Sequence, residues 1–124
     1  MLVPQLYLNG ACTEAMELYR QAFGAKTESV MYDPQEEPGT VVIHAEMNIL
    51  GSRIMLSDFG GTGRASAEST MEIVAICADE AELRQAYQVL EPGSETVTPI
   101  GPTFYSSCLV QLVDRFGVKW CLMV

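Results

Sequence analysis

The sequence predicts an α+β fold built from two tandem βαβββ modules. Three observations carry the prediction. Apolar residues recur at helical spacing in two segments, and each of these segments has one strand-like run before it and three after it. A shift of 66 positions lays Glu14-Ala15 on Glu80-Ala81 and "GSRIML", 51–56, on "GVKWCL", 117–122. A small, polar, glycine-rich stretch, "FGGTGRASAEST", separates the halves.

The elements follow in order. "VPQLYL", 3–8, is the first strand. In "ACTEAMELYRQAFG" the residues Cys12, Ala15, Met16, Tyr19, Ala22 and Phe23 step by three and four, and Gly24 stands where a helix stops. "TESVMY", "TVVIHAEMNI" and "RIMLSD" supply three strands, with Gly39 and Gly51 as punctuation. Alternation along the second of these puts Val41, Ile43, Ala45, Met47 and Ile49 on a face that can receive the helix. Val42, His44, Glu46 and Asn48 face the other way. On the next strand Ile54 and Leu56 go with the helix side, and Arg53, Met55 and Ser57 with the other.

The first module spans about residues 1–59, a connector about 60–69, and the second module about 70–124, together a single domain. A phosphate-binding reading of "GGTGR" lacks the Lys-Ser/Thr pair and the helix that should follow it. The second module opens with "TMEIVAIC". Its helix, within "DEAELRQAYQVLEPG", carries the stripe Leu83, Ala86, Tyr87 and Leu90; Asp79 and Glu82 have capping-box-like spacing, and Pro92-Gly93 ends it. "ETVTPI", "CLVQLVD" and "KWCLMV" complete the repeat, with Asp114, Arg115 and Gly117 shaping the turn into the last strand.

Composition excludes several function classes. A chain of 124 residues, 48% hydrophobic and 19% charged, can bury a core without disulfide or metal staples. Its formal charge of −9 repels phosphate backbones and anionic lipid, so nucleic acid and membrane are not expected partners. The opening "MLVPQLYLNG" lacks a basic, apolar secretory pattern, and no run is long enough to span a bilayer. Cys12, Cys77, Cys108 and Cys121 form no C-x-x-C pair, which predicts four reduced thiols in a cytoplasmic protein. Cys12 sits near a helix start, but its place on the apolar stripe predicts a buried, inert group.

The segments "LNGACTEAMELYRQAFGA", "HAEMNILGSRIMLSD" and "VDRFGVKWCLMV" resemble the PhnB-like branch of the vicinal oxygen chelate superfamily, which includes glyoxalase I, extradiol dioxygenases, and fosfomycin and bleomycin resistance proteins. The resemblance implies curled mixed sheets around a concave cavity, helices outside, and a homodimer whose second chain covers open sheet edges. Some members of the branch carry a demethylubiquinone methyltransferase name. Nothing here reads as an S-adenosylmethionine site, because the glycine stretch does not follow a strand in a Rossmann-type unit.

Metal-dependent members of the superfamily take two His and two Glu from the first and last strand of each module. Setting that pattern on this chain gives Pro4, Met55, Ile73 and Cys121; a one-residue slip substitutes Gln5 and Glu72. Neither set suits nickel, zinc or iron, so no metal and no cofactor are expected. The expected cavity wall comprises Gln5, Arg53, Met55, Ser57, Tyr105, Trp120 and Cys121, with His44 and Glu46 as a candidate acid–base pair.

Three readings of His44 and Glu46 stand side by side: hydrogen-bonded polar groups on a half-buried sheet, a donor and base pair inside a cavity, and metal ligands in an arrangement other than the superfamily's usual one. The functional expectation is a protein that binds an unknown small organic molecule. The enzyme alternative is a lyase or isomerase in which His44 moves a proton, Glu46 orients it and Arg53 neutralises developing negative charge. A structural dimer without ligand is the second alternative.

Overall fold

The computed structural model describes residues 1–62 and 67–124, and these two stretches form two compact units. The end of "GGTGR" and the middle of the expected 60–69 connector lie outside the described residues. The elements run β1 (Gln5–Tyr7), α1 (Cys12–Phe23), β2 (Lys26–Tyr32), β3 (Val42–Ile49), β4 (Ser52–Ser57), β5 (Ile73–Ile76), α2 (Glu80–Leu90), β6 (Glu95–Gly101), β7 (Leu109–Val113) and β8 (Lys119–Met123). This is βαβββ twice, the α+β architecture that the sequence predicts. Each unit holds one open, mixed sheet of four strands, ordered β1-β4-β3-β2 and β5-β8-β7-β6. In each, the first strand pairs parallel with the last, which is possible because the helix and two strands between them provide the crossover.

In the first unit α1 starts without a side-chain cap of its own, because Ala11 stands at the N-cap. Asp58, just past β4, does the capping from a distance. Its Oδ1 accepts the Cys12 N–H at 2.8 Å and its Oδ2 accepts the Val42 N–H at 2.7 Å. A negative carboxylate also suits the positive end of the helix dipole. Gly24 ends the helix in the left-handed conformation, φ 64°. The buried stripe is Cys12, Ala15, Leu18, Tyr19 and Ala22; Leu18 joins it, while Met16 and Phe23 are only half-buried.

Helix α1 packs on β3, where Ala45, Met47 and Ile49 are buried as alternation requires. The first two members of that predicted series differ. Val42 is fully buried, whereas Val41 and Ile43 are half-buried. The cause is a bulge: Met31 pairs with His44 and Tyr32 with Val42, so Ile43 is an extra residue that interrupts the period of two. Strands β3 and β4 are joined by Leu50 and Gly51, both at positive φ (51° and 86°), as a tight twisted hairpin requires. Beyond β4 the chain closes over β1. A Cβ on Gly61 would stand 2.2 Å from the Tyr7 carbonyl oxygen, so no other residue fits there without moving the backbone.

The second unit uses local capping. Asp79 Oδ1 accepts the Glu82 N–H at 2.8 Å, and Glu82 Oε2 accepts the Ala78 N–H at 2.5 Å, a reciprocal pair close to the predicted box. Leu83, Ala86 and Leu90 are buried, and α2 packs on β8. Asp114 organises the β7–β8 turn as expected. Its Oδ1 accepts the N–H groups of Phe116 (2.9 Å) and Val118 (3.0 Å). On the second unit's side of the connector, Lys119 Nζ donates to the carbonyls of Ala67 (2.9 Å) and Ser69 (3.1 Å). Among the described residues no helix is long and apolar enough to cross a membrane.

Asp58→Ala strands two buried backbone N–H groups at once. We expect it to lower unfolding free energy by about 3 kcal/mol, since bonds to a charged acceptor are worth about 1.5–3 kcal/mol each. A urea titration measures this, and an unchanged midpoint would contradict the capping role.

Candidate functional site

The open face of the first sheet carries the candidate site, and pairing register builds it. Gln5 on β1 is level with Met55 on β4, and Met55 is level with Glu46 on β3. Side chains two apart on one strand share a face, so Arg53 flanks Met55, and His44 and Asn48 flank Glu46. Glu46 is the centre of this group. Arg53 grips its carboxylate with two bonds, Nε to Oε2 at 3.0 Å and Nη2 to Oε1. His44 Nε2 lies 3.4 Å from Oε1 on the other side.

The Arg53 guanidinium holds the Glu46 carboxyl below the usual carboxylate range; desolvation opposes this, and His44 adds to it. Glu46 therefore stays ionised at neutral pH and acts as an acceptor that orients its neighbours. The side chains of His44, Glu46 and Arg53 are 38%, 21% and 47% exposed, so the group is open to solvent and to small molecules.

Other expected wall residues are placed differently. Ser57 is buried, its Oγ donating to the Ile43 carbonyl at 2.7 Å and accepting the Phe59 N–H at 3.1 Å, so it locks β4 to β3 and offers little to a ligand. Trp120 is 1% exposed and donates its indole N–H to Asp114 Oδ2 at 2.9 Å. It belongs to the core of the second unit, since the side of β8 it occupies carries Leu122 and pairs with the buried Leu112. Tyr105 is 58% exposed in the β6–β7 loop, edge-on to Phe104 with ring centroids 4.9 Å apart.

In the second unit, Val74 on β5 is level with Cys121 on β8, which is level with Gln111 on β7. Sequence reasoning missed Gln111 and its partner Thr98. The Thr98 hydroxyl donates to Gln111 Oε1 at 2.6 Å, and Gln111 Nε2 donates to both oxygens of Glu72, at 3.2 and 3.1 Å. The signal was present: Gln111 is the single polar residue in an otherwise apolar "LVQLV".

Register also moves the expected metal positions. Gln5, not Pro4, shares a face with Met55, and Val74, not Ile73, is level with Cys121, with Glu72 two residues earlier on the same face and bonded to Gln111. The first pair offers a carboxamide and a thioether. The second offers a hydrocarbon and a buried thiol pushed up to about 11 by desolvation and, in smaller part, by Glu72. Neither pair holds an imidazole, and the carboxylates beside them, Glu46 and Glu72, are held by Arg53 and Gln111, so these donors do not fit the nickel, zinc or iron centre of metal-dependent members. Among the described residues no three His, Cys, Asp or Glu gather as metal ligands would.

All four cysteines are free and buried. Burial and, less strongly, Asp58 push the Cys12 thiol up to about 12; burial pushes Cys77 up to about 11 and Cys108 upward as well. A raised thiol pKa favours the neutral form in the folded state, so its contribution is complete below the unfolded value near 9 and is lost as pH rises toward 11–12. We expect the melting temperature to fall steadily above pH 9. Iodoacetamide at pH 8 should label no cysteine of the folded chain and all four after denaturation, read by intact mass; rapid native labelling would show the thiols to be accessible.

Comparison with known proteins agrees with this architecture. The family model of the Glyoxalase/Bleomycin resistance protein/Dioxygenase superfamily matches residues 6–122. Protein YjdN of Escherichia coli (strain K12) is 27% identical over 139 residues, covering 99% of this chain and 94% of that one. The structure of a putative 3-demethylubiquinone-9 3-methyltransferase, PhnB protein, from Bacillus cereus matches with a TM-score of 0.83 at 25% identity, covering 98% of this chain and 97% of that one. Protein PA1353 from Pseudomonas aeruginosa matches with a TM-score of 0.83 at 26% identity, covering 99% and 96%.

Proposed function

We propose that this chain, which belongs to the Glyoxalase/Bleomycin resistance protein/Dioxygenase superfamily, is a cytoplasmic, homodimeric protein that binds a small organic molecule without a metal at the superfamily's usual positions. The observation that carries the reading is Glu46, clamped between Arg53 and His44 on an open sheet face and level with Met55 and Gln5. Such a face offers an apolar floor with a few fixed polar groups, which is the usual make-up of a small-molecule site. Three of its residues, Gln5, Arg53 and Met55, are those the sequence nominates as ligand-binding.

The enzyme alternative uses the same residues. His44 would move a proton, and Glu46, kept ionised by Arg53, would fix the imidazole's orientation. Because Arg53 is already committed to Glu46, its capacity to neutralise a second negative charge is reduced. That favours binding over turnover as the first reading.

Native mass spectrometry of protein purified without added ligand addresses ligand, metal and assembly together. The expected spectrum is a dimer that retains an organic molecule and no transition metal. One metal ion per chain, or a bare monomer at micromolar concentration, contradicts the corresponding part.

His44→Ala is expected to weaken retention of that molecule while leaving the melting temperature nearly unchanged. The His44 side chain lies opposite the buried series Ala45, Met47 and Ile49, so its truncation opens no cavity in the core. A large loss of melting temperature with ligand retention intact would instead identify His44 as a packing residue.

A further inference from the structure

One polar group on the proposed face has no partner. Among the described residues, the Nε2 of Gln5 is shielded from solvent and meets no hydrogen-bond acceptor. Buried amide N–H groups are paired as a rule, because shielding without a partner forfeits the bond they made to water. The strand does not need this group. Backbone pairing of β1 with β4, including the Met55 N–H to the Pro4 carbonyl at 2.9 Å, already holds Gln5 in place. An apolar side chain of the same shape would serve packing as well.

The setting indicates what the donor is for. Across three adjacent strands, spaced about 4.8 Å apart, the face runs from the Gln5 amide over the Met55 thioether to the carboxylate held by Arg53 and His44. The Arg53–Glu46 pair is neutral as a unit, and the chain as a whole carries −9, so an anionic ligand gains nothing from the long-range field. We infer that Gln5 Nε2, turned onto the open face by rotation of its side chain, is the anchoring donor for the carbonyl oxygen of an uncharged ligand, a ketone or amide, whose apolar body lies over Met55. This rests on the binding role proposed above.

The test uses the full ¹⁵N-labelled chain, with the Gln5 side-chain NH₂ signal identified by its loss in Gln5→Met. Three probes of one body size are titrated: acetophenone, benzoate and benzylamine. Acetophenone should bind best and move the Gln5 signal saturably. Gln5→Met should weaken acetophenone about tenfold, the scale of one good hydrogen bond, while the ligand-free variant melts at the same temperature or higher. Undiminished acetophenone binding by Gln5→Met, preference for benzoate or benzylamine, or a clear drop in melting temperature would each overturn the assignment. If acetophenone moves the signals of His44 and Glu46 but not Gln5, the anchor is wrong and the binding role stands. If no probe moves any residue of the face, both fall.

Discussion

Asp58 joins segments that are far apart in sequence, and the phase of the whole β3 strand follows from it. Its two carboxylate oxygens hold the first N–H of α1 and the first N–H of β3, its own N–H donates to the Val42 carbonyl, and its carbonyl accepts the Gly10 N–H. A buried charge is tolerated only with such a full set of partners. Val42 is drawn inward at the bulge, Ile43 becomes the extra residue, and from there the alternation is fixed: Ala45, Met47 and Ile49 inward, His44, Glu46 and Asn48 outward. Strand periodicity allows no intermediate choice, because a shift of one residue would bury Glu46 beneath the helix. The candidate site is thus downstream of a helix cap.

The second unit meets similar needs with other chemistry. There the helix is capped locally by Asp79, and the buried aspartate, Asp114, instead closes the last hairpin and takes the Trp120 indole N–H. The open faces diverge in the same way. In the first unit a carboxylate is balanced by a guanidinium; in the second, Glu72 is held by the neutral amide of Gln111, itself oriented by Thr98. Level with Cys121 stand Val74 on β5 and Gln111 on β7. The first unit's face differs in pairing its carboxylate with a cation and in carrying the unpartnered Gln5 amide, which is why the proposed polar recognition is assigned there.

Much of the fold was legible because it rests on periodicity over long segments. Both helix stripes, the stop at Gly24 and the Asp79–Glu82 cap emerge from spacing alone, and the repeated βαβββ order follows. The first-unit face was legible too, since His44, Glu46, Arg53 and Met55 lie on strands of eight and six residues. Failures gather where a strand is too short to show its own period. With only "QLY" in β1 and "IVAI" in β5, nothing local fixes which residues share a face: the sequence leaves Pro4 and Ile73 beside the one-residue slip to Gln5 and Glu72, and pairing selects the slip. Trp120 and Ser57 were misread for another reason: their burial depends on partners, Asp114 and the Ile43 carbonyl, that only pairing brings near.

The register that sets donors unsuited to nickel, zinc or iron at these positions leaves the polar groups available for hydrogen bonding. Positions level with each other carry Gln5 with Met55 and Val74 with Cys121, none of which brings a negative charge to a cation at neutral pH. Glu46 is the nearest carboxylate to the first pair, yet both of its oxygens already accept charge-assisted bonds from Arg53. Coordination by Glu46 would break that fork and leave the guanidinium without its partner, whereas a hydrogen-bonded ligand leaves it intact. On the proposed binding role, recognition on this face would rest on geometry of donors and acceptors over a thioether floor, a chemistry suited to an uncharged molecule.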